Sequence, residues 1–307
     1  MTGTKNISAS VLAKLKNYNK QQYEAFDLTL RRYANERFLY RLSLSSYADK
    51  FILKGAQLFV IWQGNVYRPT KDIDLLCLGD PSPENINSVI REIVAVDVND
   101  DGLAYDADSV SISEIGDDVD YGGLRVKFIA HLGKAKIDLQ IDFGFGDAIT
   151  PKVVKADFPV ILDQPLPRLS IYPVETVIAE KLEAIVKLGI VNSRMKDFYD
   201  LIVISERMPV DGSILAKAIR NTFERRATSI PVNEPVAFTP EFSENSQKQI
   251  QWQSFIRKNE LEASNNLNRT IEKLKGFLIA PIQSARKGKD FSSKWNPGGP
   301  WTIHKGT

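Results

Sequence analysis

Asp72 and Asp74 stand in RPTKDIDLLCLG, residues 68 to 79, at the head of an otherwise apolar strand. Side chains two apart on a strand share a face, so the two carboxylates project together while Ile73, Leu75 and Cys77 project the other way. Leu76 and Leu78 continue the aspartates' face, which predicts that this face is buried further along, with the carboxylates at its rim. Two like charges on a partly desolvated face repel; a raised pKa or a bound cation relieves them, and a hard ion such as Mg²⁺ suits carboxylate oxygen. A solvated strand end with two surface aspartates is the competing reading of a bare D-x-D, which is a common motif.

The surroundings favour chemistry. KIDLQIDFG puts Lys136, Asp138, Gln140 and Asp142 on one face of a strand and Ile137, Leu139, Ile141 and Phe143 on the other, so a neighbouring strand can supply a third carboxylate. Gly55 falls between a strand and a helix start, where backbone N–H groups and the helix dipole bind phosphate and a side chain would obstruct approach. A phosphate cradle, two clustered carboxylates and a third from another strand are the parts needed for metal-assisted phosphoryl or nucleotidyl transfer.

Further along, two charged residues interrupt apolar helical stripes. In YPVETVIAEKLEAIVKLG, Val174, Val177, Ile178, Leu182, Ile185 and Leu188 form a stripe with Lys181 in its middle. In SRMKDFYDLIVIS, Asp197 falls between Leu201 and Ile204 on the wheel, and Asp200 at the polar margin. A buried aspartate is costly unless paired. Lys181 with Asp197 satisfies both, either as a structural ion pair or as one that positions a nucleoside triphosphate.

The elements that must carry these residues follow from hydrophobic period. Residues 7 to 43 read as two helices, FILKG as a strand ending at Gly55, AQLFVIWQ as a helix, and DIDLLCL as a second strand. A helix over 83–95 precedes strands over 103–115 and 122–143, the latter a hairpin turning near Gly133. From Pro173 onward helices are expected over 174–188, 193–206, 211–226, 243–260 and 264–279. Residues 286–307, with Gly, Pro, Ser and several lysines, read as a basic, loosely ordered tail. The domains expected are 1–165, a catalytic core with N-terminal helices, and 166–285, helical.

A chain of 307 residues with 43% hydrophobic and 25% charged residues has the composition of an ordinary globular protein. No apolar run is long enough to span a bilayer and MTGTKNISAS lacks a signal-peptide core, so a cytoplasmic protein without membrane contact is expected. One cysteine, Cys77, and two histidines, His131 and His304, argue against disulfides and against cysteine- or histidine-rich metal sites. Residues 1–71 hold 12 Lys/Arg against 4 Asp/Glu, and residues 72–120 hold 1 against 14. This asymmetry is either a matter of solubility or a basic face that steers a polyanion to an acidic, metal-dependent centre.

LKGAQLF, RPTKDIDLL, LQIDFGFGD, ETVIAEKLEAIV and NSRMKDFYDL occur in this order. Together they are similar to the AbiEii/AbiGii toxin family of nucleotidyltransferases, from about residue 7 to about 280. The resemblance implies an α/β (α+β) DNA polymerase β-like nucleotidyltransferase fold: a mixed sheet, N-terminal helices and a helical C-terminal domain. It implies transfer of a nucleotide from an NTP, dependent on Mg²⁺ (or Mn²⁺), to an acceptor. In related toxins of the MenT type that acceptor is the 3′ end of tRNA, so that translation stops. A winged-helix, AbiEi-like antitoxin is the partner it implies.

Carried over by position, Asp72 and Asp74 resemble the family's metal-binding pair and Asp142 its third carboxylate. Gly55 resembles the glycine of the phosphate loop, and Thr70 fills the small hydroxyl place before the aspartates. Lys181 and Asp197 match the later motifs with nucleotide and catalytic contacts, and Lys54, Arg68 and Arg194 are candidates for triphosphate or RNA. Many nucleotidyltransferases have Gly-Ser at the phosphate loop; here Gly55-Ala56 leaves only backbone donors. Competing readings are transfer to a protein or small molecule, a non-catalytic nucleotide-binding module, and kinase-like phosphoryl transfer.

Overall fold

The computed structural model of the chain describes residues 6–22, 24–64, 68–115 and 122–303, so that His304 lies outside the described residues. The chain divides into two units, Met1–Gly146 with Val154–Ile171, and Asp147–Val153 with Tyr172–Thr307.

The first unit contains α1 (Ile7–Gln22), α2 (Phe26–Leu44), β1 (Phe51–Lys54), α3 (Leu58–Gln63), β2 (Ile73–Cys77), α4 (Pro83–Val94), β3 (Leu103–Ile115), β4 (Gly123–Leu132), β5 (Ala135–Phe145), β6 (Val154–Asp157) and β7 (Arg168–Ile171). Its seven strands form one sheet in the order β3-β4-β5-β2-β1-β7-β6. The β2–β5 and β1–β7 pairings are parallel; the others are antiparallel. The sheet is thus mixed, as expected, with β6 and β7 added to the strands read from the sequence.

Local chemistry accounts for the elements. Ser82 caps α4 by accepting from the Asn85 N–H, Pro83 sits at the helix start, and Ile86, Val89, Ile90 and Ile93 bury one stripe. The β4–β5 hairpin turns through Gly133-Lys134, since Leu132 pairs with Ala135 and Gly133 has φ +60°. Leu124, Val126, Phe128 and Ala130 are buried on β4, and Ile137, Leu139, Ile141 and Phe143 on β5, leaving the alternate residues on the other face.

Helix α2 is buried on every side from Tyr33 to Leu39, so its polar residues need internal partners. Arg41 donates to both oxygens of Asp101, at 2.6 and 3.3 Å, and Arg37 donates to the Pro165 carbonyl at 2.7 Å. Glu36 accepts from the Ile161 N–H at 3.0 Å and from Arg32 at 3.2 Å. Burial nevertheless pushes the Glu36 carboxyl up to about 7, the nearby arginines and the backbone donor opposing it. The Arg41–Asp101 pair also joins the basic first stretch of the chain to the acidic one that follows.

The second unit contains α5 (Val174–Leu188), α6 (Met195–Arg207), β8 (Val210–Asp211), α7 (Gly212–Arg225), α8 (Pro240–Ser243), α9 (Ser246–Lys258), α10 (Leu267–Lys287), β9 (Ser293–Trp295) and β10 (Trp301–Ile303). It is mainly helical, as expected, with a small β10-β9-β8 sheet. Residues 286–303, expected as part of a loose tail, instead end α10 and form two of these strands. Two tryptophans explain the difference. Trp295 is buried beside Phe277, ring centroids 4.8 Å apart, and donates to the Ser205 carbonyl at 2.7 Å. Trp301 stacks on Phe277 and donates to its carbonyl at 2.9 Å. One buried and one half-buried indole, packed on the same ring with their N–H groups satisfied, outweigh the polar composition around them.

Candidate functional site

The first unit aligns its charged residues across the sheet. Lys54 on β1 is paired with Asp74 on β2, Asp74 with Asp142 on β5, Asp142 with Arg125 on β4, and Arg125 with Ser113 on β3. Residues directly opposite on neighbouring strands share a face, so the row reads cation, carboxylate, carboxylate, cation. Arg125 grips Asp142 with two parallel bonds, Nε to Oδ1 at 2.9 Å and Nη2 to Oδ2 at 2.7 Å, and Gln140 donates to Oδ1 at 3.2 Å. The bond to Asp142 chiefly raises the pKa of Arg125; burial opposes, and the charges of Asp142, Asp72 and Asp74 all add to the rise. Three carboxylates therefore act on one guanidinium.

Gly55 explains how Asp74 fits. It has φ +71°, and a Cβ built there would lie 1.9 Å from Asp74 Oδ2. The missing side chain thus accommodates the Asp74 carboxylate, and the turn Gly55–Gln57 leads directly into α3. Asp72 lies just ahead of β2 and is half-buried. Its neighbourhood is fixed from two sides: Thr70 Oγ1 donates to the Asp72 carbonyl at 3.5 Å, and buried Asn35 on α2 donates to the Lys71 carbonyl at 3.3 Å. Arg68 is half-buried in the same segment. The aspartates' face is buried at Leu76 but not at Leu78, which is 57% exposed and lies beyond the strand.

In the second unit Lys181 on α5 bonds two aspartates of α6, Asp197 at 2.9 Å and Asp200 at 2.7 Å. Arg194 adds a bond from Nε to the other Asp197 oxygen at 2.7 Å. Burial pushes the Asp197 carboxyl up, but the charges and hydrogen bonds of Lys181 and Arg194 outweigh it and hold the group at about 2. Asp200 is buried rather than at a polar margin, because α6 is buried almost all round from Met195 to Ser205. The turn before α6 is fixed too: the Arg194 N–H donates to Asn192 Oδ1 at 2.7 Å, and Lys248 donates to the Asn192 carbonyl at 2.8 Å.

Over residues 37–276 the chain matches the family described as "Nucleotidyl transferase AbiEii toxin, Type IV TA system". The chain belongs to this family. It is a toxin nucleotidyltransferase, an enzyme that takes its nucleotide from an NTP and has an antitoxin as partner. Among solved structures, JHP933 from Helicobacter pylori is similar at 16% identity and a TM-score of 0.44, over 83% of this chain and 92% of that one. A second H. pylori structure, described as a candidate nucleotidyltransferase, is similar at 18% identity and a TM-score of 0.42, over 83% and 95%. No curated protein matches the chain. Among the described residues no helix of this AbiEii-family chain is long and apolar enough to cross a membrane.

The structure thus groups Lys54, Gly55, Asp74 and Asp142 in the first unit, with Asp72 and Thr70 at the edge of β2, and Lys181, Asp197 and Arg194 in the second. Among the described residues no three carboxylate, imidazole or thiol groups are disposed to hold one metal ion together. Asp142, expected as a third metal ligand, has both oxygens on Arg125. Asp72 and Asp74 still suit Mg²⁺, which is commonly bound by one or two carboxylates plus substrate phosphates, and Gly55 leaves Asp74 room for its carboxylate. Sequence reasoning missed Arg125 and Asn35, and placed Asp200 at a polar margin instead of in the buried cluster with Lys181. Of these, Arg125 was accessible: counting back from a two-residue turn at Gly133-Lys134 sets it opposite Asp142.

Proposed function

We propose that this AbiEii-family toxin transfers a nucleotide from an NTP to the 3′ end of tRNA and so blocks translation, acting in the cytoplasm and restrained by a winged-helix, AbiEi-like antitoxin. The observation that carries the catalytic part is the in-register placement of Asp74 beside Asp142, with Gly55 against Asp74, in a chain of a nucleotidyltransferase family. The tRNA acceptor and the antitoxin's type rest on the likeness to toxins of the MenT type.

Asp72 and Asp74 would hold Mg²⁺ or Mn²⁺. Such an ion, when bound, lowers the pKa of a coordinated hydroxyl and neutralises charge on phosphate oxygens. The 3′-terminal ribose hydroxyl attacks the α-phosphorus, the new ester bond forms, the bond to the bridging oxygen breaks, and pyrophosphate leaves. Asp142 is fixed by Arg125 and Gln140 but retains lone pairs, and takes the hydroxyl proton. Lys54, Arg68 and the backbone at Gly55 bear on the triphosphate, and Thr70 holds the Asp72 backbone. Nucleotide contacts by Lys181, Asp197 and Arg194 are part of the proposal on the strength of their motifs.

The deciding experiment incubates the protein with total tRNA, Mg²⁺ and each α-³²P- or γ-³²P-labelled NTP, beside Asp74→Asn. Label from the α position on tRNA, absent with the variant, is the expected result. Label on protein or a small molecule instead would replace the acceptor, and transfer of γ label would replace the reaction by phosphoryl transfer.

A further inference from the structure

On the metal-dependent reading above, the row across the first unit's sheet has a limited capacity for cations. Nucleotidyl transfer on two ions needs carboxylate oxygen enough for both. Asp74 stands inside the row with Asp72 just ahead of β2, and among the described residues Asp142 is the carboxylate paired directly with Asp74. Asp142 is committed: Oδ1 accepts from Arg125 Nε and Gln140 Nε2, and Oδ2 accepts from Arg125 Nη2. The planar guanidinium and the planar carboxylate match as fork to fork, an arrangement that a single charged contact does not reproduce.

We propose that Arg125 takes the place of a second metal ion, so that the site holds one divalent cation, on Asp72 and Asp74, and the guanidinium fixed by Asp142 supplies the second positive charge to the transferring phosphate. Several observations converge on this. Arg125 is directly opposite Asp142, which is directly opposite Asp74, so the guanidinium belongs to the same face as the carboxylates that would hold the ion. Two of its five N–H groups go to Asp142, and its side chain is 35% exposed, which leaves donors that a phosphate oxygen can reach. Among the described residues no three carboxylates are gathered for one ion, and a pair of carboxylates completed by phosphate oxygens and water is enough for a single Mg²⁺. Asp142 is then a positioning residue for Arg125 as well as a proton acceptor, and its geometry serves both roles without a bond to metal.

The test counts metal. Full-length protein is dialysed to equilibrium against Mn²⁺ and a mixture of the four α,β-methylene NTPs, which cannot react at the α-phosphorus, and bound Mn²⁺ and bound nucleotide are measured in the same sample. The expected result is one Mn²⁺ per chain for the unchanged protein and for Arg125→Lys, which keeps the charge. For Arg125→Ala two are expected, because Asp142 is released to a second ion, and Arg125→Ala with Asp142→Asn should return to one. Circular dichroism melts of each variant show that folded protein is being counted. Two Mn²⁺ on the unchanged protein would overturn the substitution of arginine for metal while leaving the metal-dependent reaction standing, as would a single Mn²⁺ on folded Arg125→Ala. No Mn²⁺ on the unchanged protein would overturn both.

Discussion

Arg125 with Asp142 and Lys181 with Asp197 are both cation–carboxylate pairings, and they differ chiefly in contact with water. The first pair is 35% and 19% exposed, whereas the second is 12% and 1% exposed, with Asp200 at 2% beside it. A half-exposed pair contributes little to folding, about 0–1 kcal/mol, because water solvates each partner nearly as well as the other does. A buried cluster is different: removing one member leaves the others charged where nothing solvates them. The pairing in the first unit therefore adds little to stability while still orienting its two partners, and the pairing in the second holds α5 to α6.

Substitutions can break this contrast, beginning with the largest effect. Asp74→Asn should lower nucleotide transfer roughly 10²–10³-fold, the order seen when one electrostatic contributor to a transition state is lost, with an unchanged urea-denaturation midpoint. Lys181→Met takes away the cation that Asp197 and Asp200 share in a buried cluster, and should cost about 3–5 kcal/mol in urea denaturation; a loss under about 1 kcal/mol would refute the structural part of its role.

Glu36 supplies a third case, a buried carboxyl whose partners do not overcome burial. Its folded pKa of about 7 lies above the unfolded value of 4.5. Its contribution is complete below pH 4.5 and is lost as pH rises through 7, by about 3 kcal/mol. Thermal melts from pH 4.5 to 8 should show this decline, and Glu36→Gln should flatten it. Gly55→Ala should cost about 1–2 kcal/mol from its left-handed backbone, and more transfer activity than that implies, since the added methyl displaces Asp74; activity equal to that of the parent would remove Gly55 from the site. The smallest effect is Arg125→Gln, which should change stability by less than about 1 kcal/mol. A larger loss would erase the contrast between the two pairings.

The sequence carried the alternation of β2 and β5 and the helical stripes plainly, because those patterns are local. It did not carry the register that sets Asp74 against Asp142, since β2 and β5 are distant in sequence and their pairing is a tertiary event. Asp200 was misplaced for a related reason. A helical wheel sees one helix, whereas α6 is enclosed on nearly all sides and has no polar margin for that residue. The chain end misled through composition: Gly, Pro and Lys suggested looseness, and two tryptophans decided otherwise.

The parallel pairing of β2 with β5 also has a meaning in time. Parallel neighbours cannot be joined by a tight turn, so β3 and β4 must be made before Asp142 can reach Asp74. The sheet is complete only when β7 has paired with β1, after Ile171 has been synthesised. Contacts so distant along a chain form late in folding. The row from Lys54 to Arg125 therefore cannot close until β5, which ends at Phe145, has left the ribosome, so close to half of the 307 residues are made before Asp74 and Asp142 can meet.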